Sequence, residues 1–201
     1  MRKSIVTIIS LLFLFTFGCQ QTNPLSEAEK LQKISTMYRN YALEFPQVKG
    51  ITVEEFKQLQ QQKNIVLIDV RSPEEREVSI IPSAISQAEF ESDRDLYKNK
   101  SLIVYCTIGY RSGKYAQKLR TAQERVETLP TRELVPHPLP PFEGGVASLQ
   151  KQGLKVFNLE GGLLAWSHID GELINNLGST KQVHVFGKKW QLTADGYQPV
   201  W

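Results

Sequence analysis

A parallel sheet covered by helices on both faces, an α/β fold, is what the sequence predicts. Three strand-length runs, Ile65–Ile68, Leu102–Tyr105 and Lys155–Leu159, are almost continuously apolar, as strands buried on both faces are. Between them lie stretches with helix-start signals and apolar residues every three or four positions. With 201 residues, 41% hydrophobic and 22% charged, the chain is long enough for one domain with a real core but hardly for two.

The first eighteen residues read as an address. Met1-Arg2-Lys3 is positive, and Ser4–Gly18 is an uncharged, mostly apolar run before the polar segment that starts at Cys19. As a helix that run would span roughly 22 Å, short of the ~30 Å hydrocarbon core, so a signal peptide over 1–18 is expected. Gly18-Cys19 resembles a bacterial lipoprotein cleavage site, which would make Cys19 the lipidated N-terminus of an exported protein, tethered to a membrane and facing the periplasm or cell exterior. The formal charge of +3 falls to +1 without Arg2 and Lys3, and with no dense Lys/Arg run nucleic acid is not expected as a partner.

Residues 19–48 form a tether and an N-terminal helix. Leu31, Ile34, Met37/Tyr38, Tyr41 and Phe45 repeat at the helical period, Ser26 and Glu29 make a capping-box start, and Pro46 is a stop. The main domain is expected over 49–170. Gly50-Ile51-Thr52 is a brief strand, followed by a helix through Glu54, Phe56 and Leu59. Ile65–Ile68 leads into Asp69-Val70-Arg71, and Ser72-Pro73-Glu74-Glu75 places a cap, a proline and acids at the start of a short helix.

Leu102–Tyr105 leads straight into Cys106, and spacing of Tyr115, Leu119, Ala122, Val126 and Leu129 predicts a helix over Ser112–Leu129. Pro130, Pro136, Pro138, Pro140 and Pro141 then hold five of the ten prolines. The segment 130–145 is therefore an exposed excursion, a place for a protein partner, with a short helix over Val146–Gln152 beyond it. The C-terminal extension, 171–201, reads as a hairpin around aromatic residues within Lys181–Trp201. The three histidines are scattered: His137 lies in the excursion, His168 at a helix end near the negative dipole, and His184 in an alternating segment. With the two cysteines far apart as well, no metal or other cofactor is expected.

Chemistry concentrates at Cys106-Thr107-Ile108-Gly109-Tyr110-Arg111-Ser112, between a buried strand and a helix. Such a loop aims backbone N–H groups and the positive helix end at one spot, and a thiol there has its thiolate favoured. Gly109 permits a tight curl, and Arg111 adds a permanent cation suited to an oxyanion.

Three blocks, Ile68-Asp69-Val70-Arg71-Ser72-Pro73-Glu74-Glu75, then Ile103-Val104-Tyr105-Cys106 with Thr107–Ser112, then Asn158-Leu159-Glu160-Gly161-Gly162-Leu163-Leu164-Ala165-Trp166, resemble in order the signatures of the rhodanese family. The resemblance covers Gly50 to about Trp166. It implies an open parallel five-stranded sheet with helices on both faces, and a sulfurtransferase. Cys106 would take a sulfane sulfur as a persulfide from a small sulfur-donor anion and pass it to a thiol or cyanide. Main-chain N–H groups of Thr107, Ile108, Gly109, Tyr110 and Arg111 would cradle the donor, and Asp69 and Arg71 would support the site. For Asp69 and Arg71 the alternative is a cap and a surface ion pair.

Six residues from Cys106 to Arg111 match the sulfur-handling members; the related dual-specificity phosphatases use one more. Ile80-Ile81-Pro82-Ser83-Ala84 stands where the family usually reads His-Ile-Pro-Gly-Ala, so the histidine and glycine are missing and the turn geometry there is open. A binding or sensing module on the same frame, or a thiol-dependent oxyanion reductase, are the rival readings.

Overall fold

The computed structural model describes residues 24–128 and 155–201. The signal segment with Cys19, the excursion at 130–145 with His137, and the helix expected over 146–152 lie outside the described residues. Among the described residues no helix is long and apolar enough to cross a membrane.

The elements follow in order: α1 (Glu27–Ala42), β1 (Lys49–Ile51), α2 (Val53–Leu59), β2 (Ile65–Asp69), α3 (Pro73–Val78), β3 (Ile85–Ser86), α4 (Gln87–Ser92), β4 (Ser101–Tyr105), α5 (Tyr110–Thr128), β5 (Val156–Leu159) and α6 (Gly162–Ser167). Four of the helices, α1 to α4, open on a complete capping box: Ser26/Glu29, Thr52/Glu55, Ser72/Glu75 and Ser86/Glu89. Each box satisfies amide groups that the first helical turn would leave open.

The sheet is the five-stranded parallel one expected, in the order β1-β5-β4-β2-β3. Because side chains alternate along a strand, each central strand feeds two cores. Leu67, Ile103 and Tyr105 join one core with Phe56 of α2, Ile34 of α1 and Leu163, Leu164 and Trp166 of α6. Val66, Ile68, Leu102 and Val104 join the other, with Phe90 of α4 and Tyr115, Ala116 and Leu119 of α5. β4 lies between the two, and its Leu102, Ile103, Val104 and Tyr105 are all buried.

Helix α5 starts at Tyr110, two residues before the expected Ser112. The Gly109 carbonyl already accepts the Gly113 N–H at 3.1 Å, so Tyr110 and Arg111 belong to the first turn. The extension also departs from expectation. The antiparallel hairpin is β6 (Leu173–Asn175) with β7 (Gly178–Thr180), before the aromatic stretch. β8 (Gln182–His184) and β9 (Gln198–Val200) pair in parallel instead. The long connection between them, with a 3₁₀ turn at Lys188–Trp190, carries the chain round so that both strands run the same way.

Val183, Val185, Leu192, Ala194 and Tyr197 of this extension complete the first core. His168 caps the C-terminus of α6 and ties α1 to the extension, its Nδ1 3.0 Å from Glu27 Oε2 and its Nε2 2.8 Å from the Leu192 carbonyl.

Ser83, where the resemblance left the turn open, has φ = 69°. A Cβ in this left-handed region is strained, and glycine removes that strain while adding unfolded-chain entropy. Ser83→Gly is expected to stabilise the fold by about 0.5–1 kcal/mol, read as a higher urea midpoint at unchanged slope.

Candidate active site

The C-terminal end of the central strand β4 delivers Cys106 into a turn that α5 follows at once. Gly109 reverses the chain at φ = 98°, and its N–H donates to Cys106 Sγ at 3.2 Å. The Ser112 hydroxyl, in the first turn of α5, donates to the same sulfur at 3.5 Å. The sulfur's residue is only 1% exposed.

The turn keeps this shape because its carbonyls are held from outside. Leu163 N–H, at the start of α6, donates to the Cys106 carbonyl at 3.0 Å, and Leu164 N–H to that of Thr107 at 3.1 Å. Asn158, wholly buried on β5, donates through Nδ2 to the Gly109 carbonyl at 2.8 Å. Gly162 lets α6 come this close: a Cβ on it would stand 2.1 Å from the Cys106 carbonyl oxygen. The carbonyls of Cys106, Thr107 and Gly109 are thus held by α6, β5 and α5, while the Gly109 N–H faces the sulfur.

Helix α1 braces the turn from the other flank. A Cβ on Gly109 would fall 2.6 Å from the Tyr38 ring, and one on Gly113 would fall 2.2 Å from the ring of Phe45, just beyond α1. Tyr110 packs its ring 4.9 Å from that of Tyr41 and donates its hydroxyl to Glu44.

The expected site residues divide accordingly. Thr107 and Ile108 have buried side chains, and Tyr110 leans on α1, so what they offer a ligand is backbone. Arg111 is not an unengaged cation: its NH1 and NH2 each donate at 2.7 Å to one oxygen of Glu75. Burial works against its charge, but Glu75 and the Cys106 sulfur outweigh that and hold the guanidinium firmly protonated.

Asp69 and Arg71 do not touch the sulfur, and their ion pair is buried, not the surface pair weighed above. Arg71 NH2, in the connection from β2 to α3, meets Asp69 Oδ2 at the end of β2 at 2.6 Å, with both side chains fully enclosed. Arg71 also donates to the Ser79 carbonyl at 2.6 Å and the Glu75 carbonyl at 3.4 Å, which fixes α3 and, through α3, the Glu75 carboxylate.

Glu75 was legible only as a first-turn acid, and nothing local announced its partner 36 residues away. Asn158 carried a signal in hindsight, as the one polar residue inside an apolar strand. Phe186 and His184 of the extension also reach this place: the Phe186 ring lies 5.2 Å from the Arg111 guanidinium and His184 Nδ1 3.8 Å from Glu75 Oε1. Among the described residues no cluster of His, Cys, Asp and Glu could hold a metal ion.

A family model described as the Rhodanese-like domain matches residues 52–169 of this chain. No curated protein matches it closely enough to count as a relative. Similar solved structures include the BH2092 protein from Bacillus halodurans, at 21% identity and TM-score 0.43, covering 71% of this chain and 87% of that one. A rhodanese-like domain protein from Staphylococcus aureus shares 24% identity at TM-score 0.38, covering 59% and 91%. A thiosulfate sulfurtransferase from Pseudomonas aeruginosa shares 16% at TM-score 0.46, covering 78% of this chain and 25% of that one.

Two expectations follow from the charged groups. Asp69→Ala leaves Arg71 enclosed without its counter-ion and should cost about 3–5 kcal/mol of unfolding free energy, measured in urea. Burial alone would raise the Glu75 carboxyl, but hydrogen bonds from Arg111 and the Ser72 N–H, with the nearby guanidinium charges, hold it below its ordinary 4.5. A folded value below the unfolded one means stabilisation that is full above pH 4.5 and lost as pH falls through the lower folded value. Glu75→Gln keeps the capping geometry and should cost about 1 kcal/mol at neutral pH, Arg111 being partly solvated, with the difference vanishing in acid. Thermal melts across that pH range check the sign.

Proposed function

The chain belongs to the rhodanese-like domain family, and on that premise we propose that it is a sulfurtransferase working through a persulfide on Cys106. The observation that carries the reading is the enclosed sulfur at the end of the central strand, held by the Gly109 N–H and the Ser112 hydroxyl.

The nucleophilic form of a cysteine is its thiolate. Cys106 attacks the outer sulfur of a donor: the new bond joins Sγ to that sulfur, and the donor's own sulfur–sulfur bond breaks. The leaving group departs with the bonding pair, as sulfite from thiosulfate or as a thiolate from an organic persulfide. With thiosulfate as donor the terminal sulfur is left with the negative charge, where fixed donors such as the Gly109 N–H stabilise it without reorganising. A thiol or cyanide attacks that sulfur in turn, takes it, and leaves the Cys106 thiolate. No metal, redox cofactor or second cysteine is required by this sequence of bonds.

The turn that holds Cys106 is fixed on its carbonyl side by α6 and at Gly109 by the Tyr38 ring of α1, which supports a rigid setting for the sulfur. The proposal extends to an exported protein tethered by lipid on Cys19, on the charge and length pattern of the first residues alone.

Intact mass spectrometry after exposure to thiosulfate tests the chemistry. The wild-type protein should gain one sulfur atom and lose it again to cyanide, and Cys106→Ser should gain none, with thiocyanate release at background. A wild-type protein that takes up no sulfur, or a Cys106→Ser protein that does, ends the proposal; the former outcome returns the frame to a binding role.

A further inference from the structure

The residues that frame Arg111 on its outer side come from beyond the family match, which stops at residue 169. Phe186 follows β8 and sets its ring 5.2 Å from the Arg111 guanidinium. His184 meets the same ring edge-on at 5.4 Å, and Trp190 meets it edge-on at 6.1 Å. Phe186, flanked by these two rings, is thus the one set against Arg111, and it keeps half its surface, 50%, in solvent.

Two further facts bear on what reaches the sulfur. Cys106 is 1% exposed, so only a slender terminal sulfur can approach it, and the body of any larger carrier stays at the rim. At that rim the charge of Arg111 is answered by Glu75 through both terminal nitrogens, which weakens the pull on a small dianion. An aromatic wall offers nothing to an inorganic anion but gives apolar contact to an organic group.

We propose that the C-terminal extension makes this site selective for an organic persulfide, R–S–SH with an apolar R, over inorganic thiosulfate, with R lying against Phe186. The inference rests on the sulfurtransferase reading above. In the step it implies, Cys106 Sγ bonds to the terminal sulfur while the sulfur–sulfur bond of R–S–SH breaks. R–S⁻ leaves with the electron pair, and the proton of the terminal sulfur stays with the new Cys106 persulfide. No oxidant or reductant enters.

The test compares benzyl persulfide with thiosulfate as donors to the full chain, reading persulfide formation on Cys106 in single turnovers by mass. Phe186→Ala should lower the ratio of second-order rate constants, benzyl persulfide over thiosulfate, by about fivefold, the scale of one lost aromatic contact. Phe186→Tyr, which keeps the ring, should restore the ratio. A ratio in Phe186→Ala within about twofold of wild type, less than half a kcal/mol, would overturn the inference. So would a larger loss with thiosulfate than with benzyl persulfide, since Phe186 would then serve only to hold Arg111. Wild-type protein that forms no persulfide from either donor fails at the earlier step and sinks the sulfurtransferase reading itself.

Discussion

The site depends on where four carbonyl bonds go. A peptide unit has a donor face and an acceptor face, and a short turn can show a ligand only one of them. Here Leu163, Leu164, Asn158 and Gly113 take the carbonyls of Cys106, Thr107 and Gly109. Between these anchored carbonyls the Gly109 N–H is left facing the sulfur. Each of the outer partners belongs to a rigid element, β5, α6 or α5 itself, so the turn inherits its shape from the sheet and its helices.

The charged residues around this turn form a relay of positions. Asp69 and Arg71 are sealed from water, where a pair adds little against apolar replacements yet is expensive to break on one side. Their value lies in anchoring α3 through the carbonyls of Glu75 and Ser79. Glu75 then serves three groups at once: the Ser72 N–H of its own capping box and both terminal nitrogens of Arg111. A helix cap and the orientation of the Arg111 guanidinium beside the turn are thereby set by one carboxylate.

Much of the fold was legible because its signals are local. Apolar runs gave the three inner strands, a capping-box pattern gave the helix start at Ser26, a cap with proline and first-turn acids gave the one at Ser72, and Cys106 stood out at a strand-to-helix junction. What escaped was whatever depends on residues distant in sequence. The partner of Arg111 lies on another helix, the burial of Asp69 and Arg71 depends on packing around α3, and the Asn158 contact crosses from β5 to the turn. The start of α5 was misjudged by periodicity, since its first two residues point at the site and at α1 instead of the core. The parallel pairing of β8 with β9 escaped because an aromatic-rich stretch with a turn reads as a hairpin, and only the length of the intervening path decides otherwise.

Helix α1 precedes the family match, yet it is keyed into the turn: the Tyr38 ring occupies the space that a side chain on Gly109 would need, and the Phe45 ring does the same at Gly113. Each glycine and its facing ring therefore share one space, and neither can grow without the other giving way. A larger residue at either glycine would demand a smaller one opposite, and a chain without the leading segment would leave two unfilled notches along the turn and the helix that follows it.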